Sequence, residues 1–142
     1  MEFVNLSLAA PLSLPDGVNT MNDPVNHRKL IAWQEAIRLV ELIYRETASF
    51  PREEVYGLTS QLRRSAVSIP ANIAEGAGRN STKELAQFLG IASGSKAELD
   101  THLEIATRLG FIRADSEVFE LLNRVGRLLV GLRKSVRLTV VS

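Results

Sequence analysis

Apolar residues recur three and four positions apart in four separate stretches of the chain, the spacing that places side chains on one face of an α-helix. The first stretch predicts a helix over residues 28–48, and the second contains Pro70, which should kink it. The third begins with Ser81 and Glu84 in the positions of a capping box, and the fourth begins near Asp115. Because no stretch shows the period of two that marks a half-buried strand, the chain is predicted to be all-α.

Short connections between the four predicted helices favour an antiparallel up-down-up-down four-helix bundle. Residues 1–27 contain three prolines and no sustained periodicity, so we interpret them as a flexible N-terminal leader. The bundle domain is predicted to cover residues 28–138, and residues 139–142 form a short tail. Gly76 and Gly110 are placed to end the second and third helices, and Gly90 and Gly94 lie where another backbone could approach closely.

The chain has 142 residues, a net charge of +1 and no cysteine, which excludes disulfides and cysteine-based metal sites. Every lysine and arginine lies at or after Arg28, so the predicted bundle is mildly basic. No apolar run reaches the roughly 18 residues that a membrane-spanning helix needs, so no membrane partner is expected. We predict a cytoplasmic location.

Polar residues form a continuous stripe beside the apolar face of the second helix, and a shorter stripe that includes His102 lies on the third. We expect the two stripes to meet, within a protomer or between subunits, with Glu98 opposite Arg64. Buried polar groups must be paired, so such a network can fix register and oligomeric state. A ligand or nucleic-acid site is the alternative. The predicted network consists of Gln61, Arg64, Ser68, Asn72, Glu75, Ser95 and Glu98.

Basic residues occupy one half of the fourth helix, and their spacing allows contact with the phosphates of RNA or DNA. A solvated helix surface has the same pattern, so both interpretations remain open. No aromatic residue is interleaved with these cations, which disfavours stacking on single-stranded bases. The five candidate nucleic-acid-binding residues are Arg124, Arg127, Arg133, Lys134 and Arg137.

Catalytic and metal-binding patterns are not found in the chain. His27 and His102 are far apart, and neither has a second histidine four residues away, as a helical zinc pair requires. Ser95 and His102 with an acid would place a triad on helix sides without an oxyanion hole. The glycine-rich turn at residues 76–81 lacks the lysine of a phosphate-binding loop. We predict no enzyme activity, no metal and no cofactor.

One segment of the second helix, SIPANIAEG at residues 68–76, is unusually specific. Together with residues 30–44 and the third-helix pattern at residues 88–99, it resembles the bacterial four helix bundle proteins, also called 23S rRNA intervening-sequence proteins. The resemblance covers residues 28–137 and implies a ring, typically a homopentamer, without established activity. A related branch of this family is the accessory variability determinant of diversity-generating retroelements. The resemblance to that branch implies binding to nucleic acid and to a reverse transcriptase.

These observations predict a non-enzymatic, homo-oligomeric scaffold protein whose partners are other copies of itself and RNA or DNA held by basic surface. The alternative is a protein-binding adaptor, for example an accessory to a reverse transcriptase, that makes no direct contact with nucleic acid.

Overall fold

The computed structural model describes residues 25–141, and side chains up to residue 138. Short 3₁₀ turns at His27–Lys29 and Arg52–Glu54 precede the first and second helices. The predicted all-α bundle is confirmed, and no strand occurs in the described part of the chain. The four helices are α1 (Ile31–Thr47), α2 (Leu58–Ala77), α3 (Thr82–Arg108) and α4 (Glu117–Val141).

Each helix packs against the next one along the chain, and α1 also packs against α4, which closes the bundle. Paired residues run in opposite order along neighbouring helices, so the neighbours are antiparallel. Between α2 and α3, Ser65 contacts His102 and Ser68 contacts Ser95. Between α3 and α4, Gly90 lies against Arg133 and Gly126 lies against Lys96. Between α1 and α4, Glu35 pairs with Arg124 and Glu46 with Ser116.

The core is built from leucine, isoleucine, valine and alanine on the inner face of every helix, as the apolar periodicity predicts. Helical spacing places Glu35 and Leu42 away from the main apolar arc of α1, on the side expected to face solvent, yet both lie inside. Leu42 is buried, and so is Glu35, which packs at the contact between α1 and α4. The broad inner face of α1 therefore includes a charged residue that the helical pattern assigned to solvent.

The packed domain begins no later than Val25. The Val25 side chain is buried, and its N–H donates to the Ala77 carbonyl at 2.9 Å. This boundary lies three residues before the predicted start of the bundle at residue 28, and residues 1–24 of the predicted leader lie outside the described residues. At the other terminus the backbone of α4 remains helical to Val141, so most of the predicted tail continues the helix.

Gly76 does not end α2, contrary to the prediction. It is helical and buried, and a Cβ added there would lie 2.8 Å from the Cβ of Phe88 on α3. The close approach expected at Gly90 or Gly94 therefore occurs at Gly76, while a Cβ on Gly94 would meet nothing within 4 Å. The described glycine with positive φ is Gly110, at +80°, just after α3. α2 continues through Pro70, which is buried.

Candidate functional site

The predicted polar stripes of α2 and α3 do meet at one point. The hydroxyl oxygens of Ser68 and Ser95 are 2.7 Å apart, and Ser95 is buried. Asn72 donates from its Nδ2 to the Ser68 carbonyl at 2.8 Å and to the Ser68 hydroxyl at 3.0 Å. These three members of the predicted network form a connected group whose hydrogen bonds cross the α2–α3 contact.

A second polar contact lies one turn away and involves two residues outside the predicted network. Ser65 Oγ is 2.9 Å from the Gln61 carbonyl oxygen, 3.2 Å from the Leu62 carbonyl oxygen and 3.3 Å from His102 Nδ1. Because a hydroxyl has one proton, which the carbonyls accept here, the serine oxygen is free to accept from an Nδ1–H of the histidine. The helical spacing of Ser65 from Ser68 is the sequence signal that could have added it.

This geometry does not suit a serine nucleophile. Ser95, the serine weighed against His102, is bonded to Ser68 instead. The serine beside His102 is Ser65, which is buried and hydrogen-bonded to its own helix. A nucleophile needs its hydroxyl proton directed at a base, but Ser65 Oγ lies closer to the Gln61 carbonyl oxygen, at 2.9 Å, than to His102 Nδ1, at 3.3 Å, so the helix carbonyl competes for that proton.

Arg64 and Glu98 line one open groove of about 440 Å³ between α2 and α3. The expected ion pair between them is not formed: among the described residues neither has an oppositely charged group within 4.0 Å. Glu75, at the end of the stripe, pairs with Arg79 at 3.0 Å. The groove is lined by Gln61, Arg64, Ser65, Ser68, Glu98 and His102.

A second groove, of about 520 Å³, lies on the other side of Arg64, between α1 and α2. The Arg63 guanidinium lies 4.4 Å from the centre of the Tyr44 ring and donates from Nε to Thr47 Oγ1 at 2.9 Å. Apolar side chains are exposed along its walls, with Val55 at 51% and Val67 at 42%. The outer face of α2 therefore separates two grooves and combines charge with exposed apolar surface.

Two of the five candidate nucleic-acid-binding residues, Arg124 and Arg127, precede the last turns of α4 that carry Arg133, Lys134 and Arg137, and Arg124 faces α1. Its Nε donates to Glu35 at 2.7 Å across the α1–α4 contact, and Arg38 binds the second oxygen of Glu35 at 2.6 Å. The Arg124 and Glu35 side chains are 24% and 10% exposed. This pair neutralises a buried carboxylate, so the role of Arg124 in the described structure is within the bundle.

One end of the bundle collects unpaired positive charge; we call it the basic end. It is formed by the turn before α1, the start of α3 and the last turns of α4. Among the described residues, none of its six unpaired cations has a carboxylate within 4.0 Å. A further cation, Arg79, pairs with both Glu75 and Glu84. The six unpaired cations are Arg28, Lys29, Lys83, Arg133, Lys134 and Arg137.

The opposite end, the acidic end, comprises the α1–α2 and α3–α4 connections and the adjoining helix ends. The two connections meet there, with the rings of Phe50 and Phe111 5.5 Å apart. Arg113 and Asp115 form a two-pronged pair with both distances at 2.9 Å, and the Arg113 guanidinium holds the pKa of Asp115 below its ordinary value. Eight acids lie here: Glu41, Glu46, Glu53, Glu54, Glu104, Asp115, Glu117 and Glu120.

Over residues 25–138 no group of three or more histidine or acidic side chains is arranged to hold a metal ion. No helix in the described part of the chain is long and apolar enough to cross a membrane.

Comparison with protein families finds one match. Residues 28–131 match the model of the 23S rRNA-intervening sequence protein family, which covers most of the chain and all four helices in part or in whole. No curated protein matches the chain. The four-helix bundle and this match agree with the resemblance carried by residues 68–76, and the chain belongs to the 23S rRNA-intervening sequence protein family.

Proposed function

We propose that the protein is a non-enzymatic scaffold that self-associates, as a homopentamer, and carries RNA or DNA on basic surface. The observation that supports self-association is the outer face of α2 and α3, where Arg64 and Glu98 lie unpaired beside exposed aliphatic side chains. Val67, Ile91 and Ile105 on this face are 42–47% exposed. Exposed apolar groups rimmed by polar ones are typical of protein–protein contact surfaces.

The spacing on α3 strengthens this proposal. Ile91, Glu98 and Ile105 are seven residues apart, so they form one line along the helix. A neighbouring copy that covered this line would bury two isoleucines and would meet a charged residue between them. In a closed ring each copy uses two different surfaces, and this face would be one of the two.

Sedimentation velocity of the full chain tests this proposal. We expect one species several times the protomer mass, and we expect the double variant Val67→Glu, Ile91→Glu to sediment as a protomer while keeping its helical circular dichroism. The matched control is Val130→Glu, which changes an apolar residue that is 52% exposed on α4, outside this face. A protomeric wild type, or a double variant that assembles normally, would contradict the proposal.

The hydrogen-bonded group at Asn72 gives a second test of the same surface. Asn72→Leu removes both donations to Ser68 and leaves the Ser68–Ser95 pair without its amide partner. We expect a loss of assembly or a stability cost of about 1 kcal/mol. If neither assembly nor the unfolding midpoint changes, the polar group has no structural role.

The nucleic-acid part of the proposal rests on the unpaired cations of the basic end. We expect a labelled structured RNA or a DNA duplex to bind the oligomer with an affinity that falls as salt rises, because binding releases counterions. Fluorescence anisotropy at several salt concentrations measures this dependence.

The adaptor function is the second candidate, and the α1–α2 groove favours it. Tyr44, Val55 and Val67 offer apolar contacts there, while Arg63 and Arg64 offer positive charge. Such a surface suits a protein partner such as a reverse transcriptase, and that complex should survive salt concentrations that abolish phosphate contacts.

A further inference from the structure

We propose that the basic end binds the phosphate backbone of double-helical nucleic acid and does not read or stack on bases. This inference rests on the nucleic-acid part of the proposed function and adds the surface and the form of the ligand. Its first support is position. The six unpaired cations come from three segments distant in sequence, and the fold brings them to one end.

The contacts between helices place these segments together. The Val25 N–H bonds the last residue of α2, which ties the turn carrying Arg28 and Lys29 to that end. Arg133 on α4 lies against Gly90 on α3, about two turns beyond Lys83. The cations are therefore held by helix ends and a packed turn.

Among the described residues, no acid pairs with the six unpaired cations. The two carboxylates nearby, Glu75 and Glu84, both pair with Arg79. Lys29, Lys83, Lys134 and Arg137 are exposed and, among the described residues, have no ion-pair partner within 4.0 Å. A ligand with closely spaced negative charges can pair with these cations, and a DNA duplex carries about one negative charge per 1.7 Å of its axis.

The aromatic residues near the basic end are already occupied. Arg28 lies 5.5 Å from the centre of the Trp33 ring, and the ring centres of His27 and Trp33 are 5.1 Å apart in a T-shaped arrangement. Arg79 lies 4.8 Å from the centre of the Phe88 ring. Proteins that hold single strands offer open aromatic faces to the bases. The most exposed aromatic residue over residues 25–138, Tyr56 at 95%, lies at the acidic end. Phosphate contact without base stacking therefore favours a duplex.

The test compares labelled DNA duplex, RNA duplex and single-stranded DNA of equal length and mixed sequence, by anisotropy on the full chain across a salt series. Either duplex should bind at least tenfold more tightly than the single strand. The basic-end variant Lys29→Gln, Lys83→Gln, Lys134→Gln, Arg137→Gln should lose most of the affinity. Its plot of log affinity against log salt should be shallower by about 3.6, the change expected for four lost phosphate contacts.

The matched control neutralises four arginines of the acidic end, Arg45→Gln, Arg52→Gln, Arg108→Gln and Arg113→Gln, and should keep wild-type affinity. Circular dichroism and sedimentation confirm that both variants fold and assemble. Equal or tighter binding of the single strand overturns the duplex assignment. Wild-type affinity in the basic-end variant would show that the basic end is not the binding surface, while the proposed nucleic-acid binding would still hold. Absence of binding to every probe at low salt overturns both. A difference between the two duplexes shows which source of phosphate is preferred.

Discussion

At the acidic end Arg45, Arg108 and Arg113 each pair with a carboxylate, whereas at the basic end only Arg79 of the seven described cations does. The difference follows from local sequence. Arg45 and Arg108 each have a glutamate four residues before them on the same helix. None of the six unpaired cations at the basic end has an acid three or four positions away, and no acid follows Glu120.

This contrast shows that pairing, and not the number of cations alone, distinguishes the two ends. Surface ion pairs stabilise a fold by less than about 1 kcal/mol, so their absence at the basic end costs the bundle little. The absence of ion pairs instead leaves a positive electrostatic potential at the basic end, and such a potential attracts a polyanion. The predictions below test whether the two ends differ in packing, in binding and in titration.

The largest expected effect concerns packing at the basic end. Gly76→Ala places a Cβ 2.8 Å from the Phe88 Cβ and 3.1 Å from Leu85 Cδ1, so we expect unfolding free energy to fall by about 1–3 kcal/mol. The matched variant Gly94→Ala meets nothing within 4 Å and should raise it by about 0.5–1 kcal/mol. Urea unfolding measures both values. Equal changes in unfolding free energy for the two variants would mean that the close contact between α2 and α3 does not require glycine at position 76.

A single charge reversal should separate the two ends in binding. Lys134→Glu should weaken duplex affinity about tenfold at low salt, because it replaces attraction by repulsion at the basic end. Arg52→Glu reverses an exposed arginine at the acidic end and should change the affinity less than twofold. Anisotropy measures both. Similar losses in the two variants would show that net charge, not location, controls binding.

The turn that leads into the basic end depends on the cap of α3. The Ser81 hydroxyl accepts from the Glu84 N–H at 3.1 Å, so Ser81→Ala should cost about 1 kcal/mol of stability. Thr101→Ala, at an exposed site inside the same helix, should change stability by less than about 0.5 kcal/mol. Thermal unfolding measures the stability of both variants. A larger loss of stability in Thr101→Ala than in Ser81→Ala would contradict the role of the cap.

The smallest effect is a titration at the acidic end. Arg113 lowers the pKa of Asp115, so this pair stabilises the fold above the ordinary aspartate pKa and ceases to do so as pH falls through the lowered value. Arg113→Gln should raise the pKa of Asp115 toward its ordinary value and leave duplex affinity unchanged. Carbon-detected NMR titration measures the pKa. An unchanged pKa would mean that the pair does not persist in solution.

The sequence predicted the helices well because the apolar periodicity of each one is regular. It failed where a contact between helices decides the outcome. Glu35 has the spacing of a solvent-facing residue, yet Arg124 on a distant helix neutralises it inside the bundle. Gly76 has the position of a helix stop, yet close approach of Phe88 explains it better.

The candidate site shows the same division. Helical spacing placed Ser68 and Asn72 on one face, and Ser95 met them as expected. The basic end could not be predicted from the fourth helix alone, because Arg28, Lys29 and Lys83 join it only through the antiparallel arrangement. The sequence signal that would have identified these cations is that none of them has an acidic residue three or four positions away.

Lysine footprinting on the full chain with bound duplex shows directly whether the basic end is the nucleic-acid-binding surface. The chain has four lysines: Lys29, Lys83 and Lys134 lie at the basic end, while Lys96 lies midway along α3, against Gly126 and 3.7 Å from Asp100. Bound duplex should slow acetylation of the first three lysines severalfold and leave the rate at Lys96 unchanged. Protection of Lys96 alone, or equal rates at all four lysines with the duplex bound, would contradict this prediction.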